Sequence, residues 1–537
     1  MTTLRYQMSA KFRTEKDSLG PLQVPADAYY GVQAARAVAN FPISGMRAHP
    51  ALILAYVHIK RAAAVTNCKL GMLDEPRRDA IVKAADLVLK DAAKLLKSDP
   101  QAVERSGNLL DQWVIDVYQA GAGTSFNMNT NEVLANLANE KFARKAADKV
   151  RGSYSFVHPN DHVNMAQSTN DTMPTGIRLS NLMILPDTLR ALDLLEGELR
   201  KKGREFDKVI TTGRTHLQDA TPVTLGQVFT AFADCLKKAR GRIVDAAKQL
   251  AILGLGGTAV GTGMNSHPDY SREVAMQLAL QLGQSIGIRL GTAANKVEMH
   301  NSLADQLQFS SALRSLAVDL GRIANDLRLL SSGPTSGIGE INLPPVQPGS
   351  SIMPGKVNPV MLEMFNMVCY NVIGLDSAIC GCAQAGQYQL NVMMPIVAWD
   401  LLHMQSILTT SMTVVAERCV RGITANEEQC RRYFEASMGL ATVLNPLIGY
   451  AAAAEIVKHA VKSGTPIMDE VRAARKADGS PLLTEAQIRK AFDPQKLTQP
   501  GFLKLEDEAK PKAARKSPAA KKPAGASSGK PATARKK

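Results

Sequence analysis

The chain has 537 residues, too many for one compact core at about 100–200 residues per domain, and its 45% hydrophobic and 21% charged content is that of an ordinary globular protein. The net charge of +15 belongs to the end of the chain: residues 509–537 hold ten Lys or Arg and no acid, which leaves +5 for the other 508 residues. That removes the charge argument for a basic, nucleic-acid-binding folded face.

The opening MTTLRYQMSAKFRTEKD lacks the apolar stretch of a secretion signal, and the longest unbroken apolar run, Ala51 to Val57, is far short of the ~18 residues of a membrane span. A cytoplasmic protein is expected. The cysteines, Cys68, Cys235, Cys369, Cys380, Cys382, Cys419 and Cys430, are odd in number and sit in apolar surroundings such as NMVCYNV, as buried free thiols in a reducing compartment would. Cys380 and Cys382 form C-x-C with no second pair or nearby His, so no metal site is expected there.

Along the chain, short strands are expected only in the first fifty residues or near the tips of a helical bundle. Polar, breaker-rich stretches fall at Gly121 to Asn131, Pro159 to Thr175, Gly213 to Gly226, Gly254 to Pro268 and Ser331 to Pro359. Between them no Pro occurs from 223 to 267 or from 269 to 333, so long helices are permitted. Leu225, Val228, Phe232, Leu236, Ala239, Ile243 and Ala246 form one helical seam, and Leu313, Leu316, Leu320, Ile323, Leu327 and Leu330 form another. GLGGTA at 254–259 fits a loose dinucleotide-binding pattern but follows a helical stretch, and reads as accidental. No phosphate loop, H-E-x-x-H or G-x-S-x-G occurs. The last segment, KPKAARKSPAAKKPAGASSGKPATARKK, has no large apolar residue and is expected to be disordered, as a solubilising extension or a weak arm for nucleic acid or another polyanion.

Four clusters remain: Thr124 and Ser125 in GAGTSFNMNTNE, Ser168, Thr169 and Asn170 in AQSTNDT, Thr215 and His216 in GRTHLQDATP, and Ser350, Ser351, Lys356 and Asn358 in GSSIMPGKVNP. Hydroxyls, amides and one lysine suit a pocket for small anions. Taken singly, each also reads as helix capping, turn chemistry or a satisfied core histidine.

Together, and most specifically at GSSIMPGKVNP, the blocks from about Phe12 to about Pro500 resemble the fumarase/aspartase superfamily, whose members eliminate ammonia, water or a larger amine from succinyl-type substrates to give fumarate. VYQAGAGTSFNMNTNEVLAN, AQSTNDTMPTG, NDLRLLSSGP with GEINLP, and AQAGQYQLNV are similar to the aspartase branch. HPND at 158–161, GRTHLQDATP and LGGTAVGTGMNSHP are equally or more at home in fumarases. The expectation is reversible elimination of ammonia from L-aspartate, with fumarase chemistry on L-malate as the alternative.

The resemblance implies a mainly α fold, a central long-helix bundle with smaller N- and C-terminal domains: 1–161, 162–422 and 423–505, followed by the basic tail 506–537. It implies a homotetramer whose sites are shared by three subunits. By the same likeness Ser350 is the general base, working through an enediolate, while Lys356 and Asn358, with Thr215 and His216, hold the α-carboxylate. Thr124, Ser168, Thr169 and Ser351 hold the other carboxylate, Ser125 is a further substrate-binding residue, Asn170 and His216 lie near the amino group, and Glu363 pairs with the histidine. No cofactor is expected; the resemblance leaves room for an activator site for a divalent metal or for aspartate itself, but no ligand cluster identifies one. His158, Asn160 and Asp161 match a secondary anion site of fumarase relatives or make a simple turn. The segment Lys97 to Leu110 looks longer than usual for the family.

Overall fold

The computed structural model describes residues 11–98 and 107–501; the basic tail 506–537 and residues 99–106 of the long segment lie outside them. The chain opens with an antiparallel hairpin of β1 (Phe12–Asp17) and β2 (Gly20–Pro25), paired from Phe12 with Pro25 to Asp17 with Gly20. Gly20 turns the chain at φ +110, a conformation that glycine tolerates. Helix α1 (Val32–Asn40) has no side-chain cap of its own. Buried Glu132 serves instead, accepting from the N–H groups of Gly31, Gln33 and Ala34 at 2.8, 2.8 and 3.1 Å.

Helices α2 (Pro50–Lys69), α3 (Glu75–Ser98) and α4 (Thr124–Phe142) precede the longest element, α5 (Thr169–Glu205). A hairpin, β3 (Ile210–Thr215) with β4 (Gln218–Thr224), leads into α6 (Leu225–Leu250). A two-residue strand β5 (Ile252–Leu253), α7 (Tyr270–Ile286), β6 (Gly291–Thr292), α8 (Lys296–Asn301) and α9 (Ala304–Leu330) follow. Then come β7 (Ile341–Asn342), α10 (Val360–Gln384), α11 (Met394–Arg418) and β8 (Thr424–Ala425).

The bundle is built as the sequence seams require. α5 packs on α6 and α11, and α9 packs on α6 and α10. Phe232, Leu236, Ala239 and Ile243 of α6, and Leu313, Leu316, Leu320, Ile323 and Leu327 of α9, are buried. α5 departs from the expectation: it starts inside the polar stretch at 159–175 and carries Pro174 and Pro186. Pro174 lies in the second turn and costs the bond its N–H would make to the Asn170 carbonyl, and the helix is held by packing on α6 and α11.

α10 is long and apolar enough to cross a membrane by length and composition, although no single apolar run is that long. Only a third of its most apolar window is buried, and Met367 and Tyr370 stand 64% and 61% exposed. Within this chain the helix has one packed face and one open apolar face.

By packing, the described residues fall into two compact units, one within 11–213 and 223–434 and the other within 214–222 and 435–501. The second contains the tip of the β3–β4 hairpin and the short helices Tyr450–Ser463, Ile467–Ala473 and Glu485–Ala491. Ala453, Ile456, Ala460, Ile467, Val471 and Ile488 are buried in it.

Candidate active site

Two of the four clusters converge where α4 and α5 begin. Gly123, at φ +82, precedes Thr124, and a Cβ on it would lie 2.8 Å from Met173 Sδ in the second turn of α5. Glycine there lets the two helix starts approach. Thr124 is exposed, Ser125 half-buried and Thr169 buried. Ser168 caps α5: its hydroxyl accepts from Asn170 N–H at 3.2 Å, while Asp171 accepts from Ser168 N–H at 2.9 Å. Ser168 and Asp171 thus form a reciprocal capping box at the start of α5. Asn170 donates through Nδ2 to the carbonyl of Ala259 at 2.7 Å, which fixes the amide and leaves Oδ1 able to accept.

Beneath these starts lies a polar layer that was not singled out from the sequence. Lys60 is fully buried, and its ammonium donates to Asn127 Oδ1, Asn164 Oδ1 and Gln167 Oε1 at 2.7, 3.0 and 3.0 Å. Burial pulls its pKa down to about 7, opposed by the nearby Asp171 carboxylate. Asp171, also fully buried, accepts from the N–H groups of Gly256 and Thr258 at 3.0 Å each. Burial pushes it up to about 7 against those N–H groups and Lys60. GLGGTA, read as an accidental motif, is thus a loop that aims backbone donors at a carboxylate. No dinucleotide is involved in that role. The signal for Asp171 was present as the fourth residue of the Ser-Thr-Asn-Asp cap, and that for Lys60 as a lone lysine in the apolar run around AYVHIKRAAAV.

The loop GSSIMPGKVNP joins β7, which pairs with β8, to the start of α10. Buried Glu340, just before β7, accepts from Thr211 Oγ1 at 2.6 Å. A neck closes the loop: Gly349 N–H donates to Lys356 O at 2.8 Å, and Asn358 Nδ2 donates to Gly349 O at 2.5 Å. A Cβ at Gly349 would collide with the Lys356 carbonyl, and Gly355 sits at φ +79, so both glycines are required by shape. Ser350 Oγ accepts from the backbone N–H groups of Ile352 and Met353 at 3.2 and 2.9 Å. The loop encloses an open cavity of about 410 Å³ lined by Pro345 to Ser350, Met353 and Gly355 to Val357. Ser351 and Lys356 are exposed, Ile352 is 84% exposed, and Glu363 is half-buried in the first turn of α10.

Among the described residues, no hydrogen bond or ion pair joins this loop to the starts of α4 and α5. Thr215 and His216 belong to the second unit, exposed at the hairpin tip, where His216 and Leu217 take φ +54 and +59. That pair of left-handed residues makes the tight hairpin turn. His158 is engaged within its own turn: its Nδ1 accepts from Asp161 N–H at 3.3 Å, and His162 Nδ1 accepts from His158 N–H at 2.8 Å. No group of three or more His, Cys, Asp or Glu among the described residues is arranged to hold a metal ion. The seven cysteines are free thiols, with burial pushing Cys369 and Cys419 up to about 12.

Residues 20–374 match a family model described as Lyase, and residues 440–499 match one described as Fumarase C C-terminus. Aspartate ammonia-lyase of Pseudomonas aeruginosa is 45% identical over 92% of this chain and 99% of its own length. That of Bacillus subtilis is 41% identical over 92% and 98%. Among solved structures, a fumarate lyase/delta crystallin of Brucella melitensis bound to cobalt superposes with a TM-score of 0.82 at 45% identity, covering 91% of this chain and 100% of its own. A class II fumarase of Schistosoma mansoni reaches 0.82 at 35% identity, covering 91% and 99%.

Proposed function

Because the chain belongs to the Lyase family with a fumarase C-type C-terminus, we propose that it reversibly eliminates ammonia from L-aspartate to give fumarate, with Ser350 as the general base. The relatives at 41–45% identity over almost their whole length are aspartate ammonia-lyases, which favours an amine over water as leaving group. The observation that carries the mechanism is the pair of backbone N–H groups aimed at Ser350 Oγ. A free serine is far too weak an acid to serve as a base. Two fixed N–H donors stabilise its alkoxide, and the exposed Lys356 ammonium in the same loop adds positive charge when the loop closes.

In the forward direction Ser350 takes the proton from the carbon next to the β-carboxylate, and the electron pair moves into that carboxylate as an enediolate. The pair then returns to form the carbon–carbon double bond as the C–N bond breaks and ammonia leaves. Thr124, Ser125, Ser168, Thr169 and Ser351 supply donors that tighten as charge develops. Lys356, Asn358, Thr215 and His216 hold the other carboxylate. Asn170 Oδ1 and His216 receive the amino group, and Glu363 orients the histidine. None of these steps calls on a cofactor.

A homotetramer completes the site, with three subunits each contributing a cluster. The open apolar face of α10 supports this, since an exposed run of that kind is a surface for other copies of the chain. Seven free thiols suit a cytoplasmic enzyme, although only Cys369, Cys419 and Cys430 are buried as expected, while Cys380 is exposed and the other three are half-buried. A second reading, fumarase, is favoured by the TM-score of 0.82 to the Schistosoma enzyme. Separate incubations with L-aspartate and L-malate, following fumarate, decide between them. Fumarate from L-aspartate supports the first, and fumarate from L-malate alone replaces it with the second.

A further inference from the structure

His300, in α8, is fully buried, and neither ring nitrogen has a hydrogen-bond partner. Such a residue is a poor choice for stability, because two polar groups lose water and gain nothing. Its ring lies directly under the loop behind Asn170. A Cβ on Gly257 would stand 2.6 Å from His300 Nε2 and 3.0 Å from its Cε1. The residues on either side of Gly257 donate to Asp171, and the carbonyl of Ala259 fixes the Asn170 amide. Burial draws the imidazole down to about 4, so the ring is neutral at ordinary pH and acts by its shape.

We propose that His300 is a positioning residue for leaving-group selectivity, a flat wedge that sets the Gly256–Ala259 loop so that Ala259 O holds Asn170 Nδ2 and turns Oδ1 toward the substrate amine. An ammonium group only donates, so an amide oxygen fixed outward binds it; a rotated amide offers N–H groups instead and repels it. This inference rests on the ammonia-lyase reading.

The test compares His300→Ala, which removes the wedge, and His300→Phe, which keeps a flat ring, in both reaction directions. The Ala variant is expected to raise KM for L-aspartate and for ammonia about tenfold, the size of one hydrogen bond to a charged group. KM for fumarate, which has no amine, stays within about twofold, and the Phe variant returns all three toward wild type. Equal rises in the fumarate and ammonia KM values, or no rise in either, overturn the proposal. If the Ala variant is not recovered folded, Gly257→Ala disturbs the same contact from the other side and is read by the same ratio. Wild-type protein that releases no fumarate from L-aspartate sinks the underlying reading, whereas an active wild type with an unmoved KM ratio sinks only this inference.

Discussion

Replacing Gly257 by Ala probes the contact on which the amine-binding geometry is argued to depend. Gly257 does not use a positive φ, so the substitution carries no backbone strain and acts through its added methyl alone. That methyl meets His300 Nε2 at 2.6 Å and Lys296 Cβ at 3.0 Å, distances that force a shift in a packed interior. Overpacking of this kind costs about 1–3 kcal/mol. In a His300→Ala background the shorter contact is gone and only the Lys296 approach remains. The loss of unfolded-chain freedom on replacing Gly then offsets about 0.4–1 kcal/mol. The double-mutant cycle should therefore show a coupling of about 1–2 kcal/mol, above the ~0.3–0.5 kcal/mol within which independent sites add. Urea unfolding of the four proteins at one protein concentration measures it. Equal losses in both backgrounds would refute the wedge.

Other consequences are equally direct. Ser350→Ala should lower turnover by about 10²–10⁴-fold, the range of a general base, with KM for L-aspartate changed only a few-fold; near-normal turnover in steady-state assays would remove Ser350 from that role. Asp400 in α11 is buried, and burial holds its carboxyl up to about 7 from an ordinary 3.8. The unfolded chain releases that proton first, so the group's contribution to stability is lost as pH rises between those values. Asp400→Asn should thus gain on the order of 3–4 kcal/mol at pH 8 relative to its effect at pH 4, and unfolding curves with the same difference at both would contradict it. Truncation after Glu508 should leave turnover intact and abolish salt-sensitive retention on an immobilised polyanion; retention that persists would place the basic contact elsewhere.

The bundle was legible because its signal is periodic. The stripe from Leu225 to Ala246 and that from Leu313 to Leu330 are the buried faces of α6 and α9. The helix starts at Thr124 and Thr169 were marked by small polar residues, the types that suit capping and anion binding alike, since both need hydroxyls beside free N–H groups. α5 was obscured by Pro174 and Pro186, which local reading takes as breaks and packing overrides. The layer below the site left no periodic trace. Asp171 meets the Gly256 and Thr258 N–H groups across more than eighty residues, and Lys60 meets Asn164 across more than a hundred. His300 is one unpaired ring in a six-residue helix. Contacts of that separation are set by tertiary packing and cannot be read from spacing.

The most direct test of the account is the stoichiometry of products from L-aspartate, measured with the full chain and its Ser350→Ala variant side by side. The wild type should release fumarate and ammonia in equal amounts while the variant releases neither at a comparable rate. Fumarate formed only from L-malate, or equal release by both proteins, would contradict it.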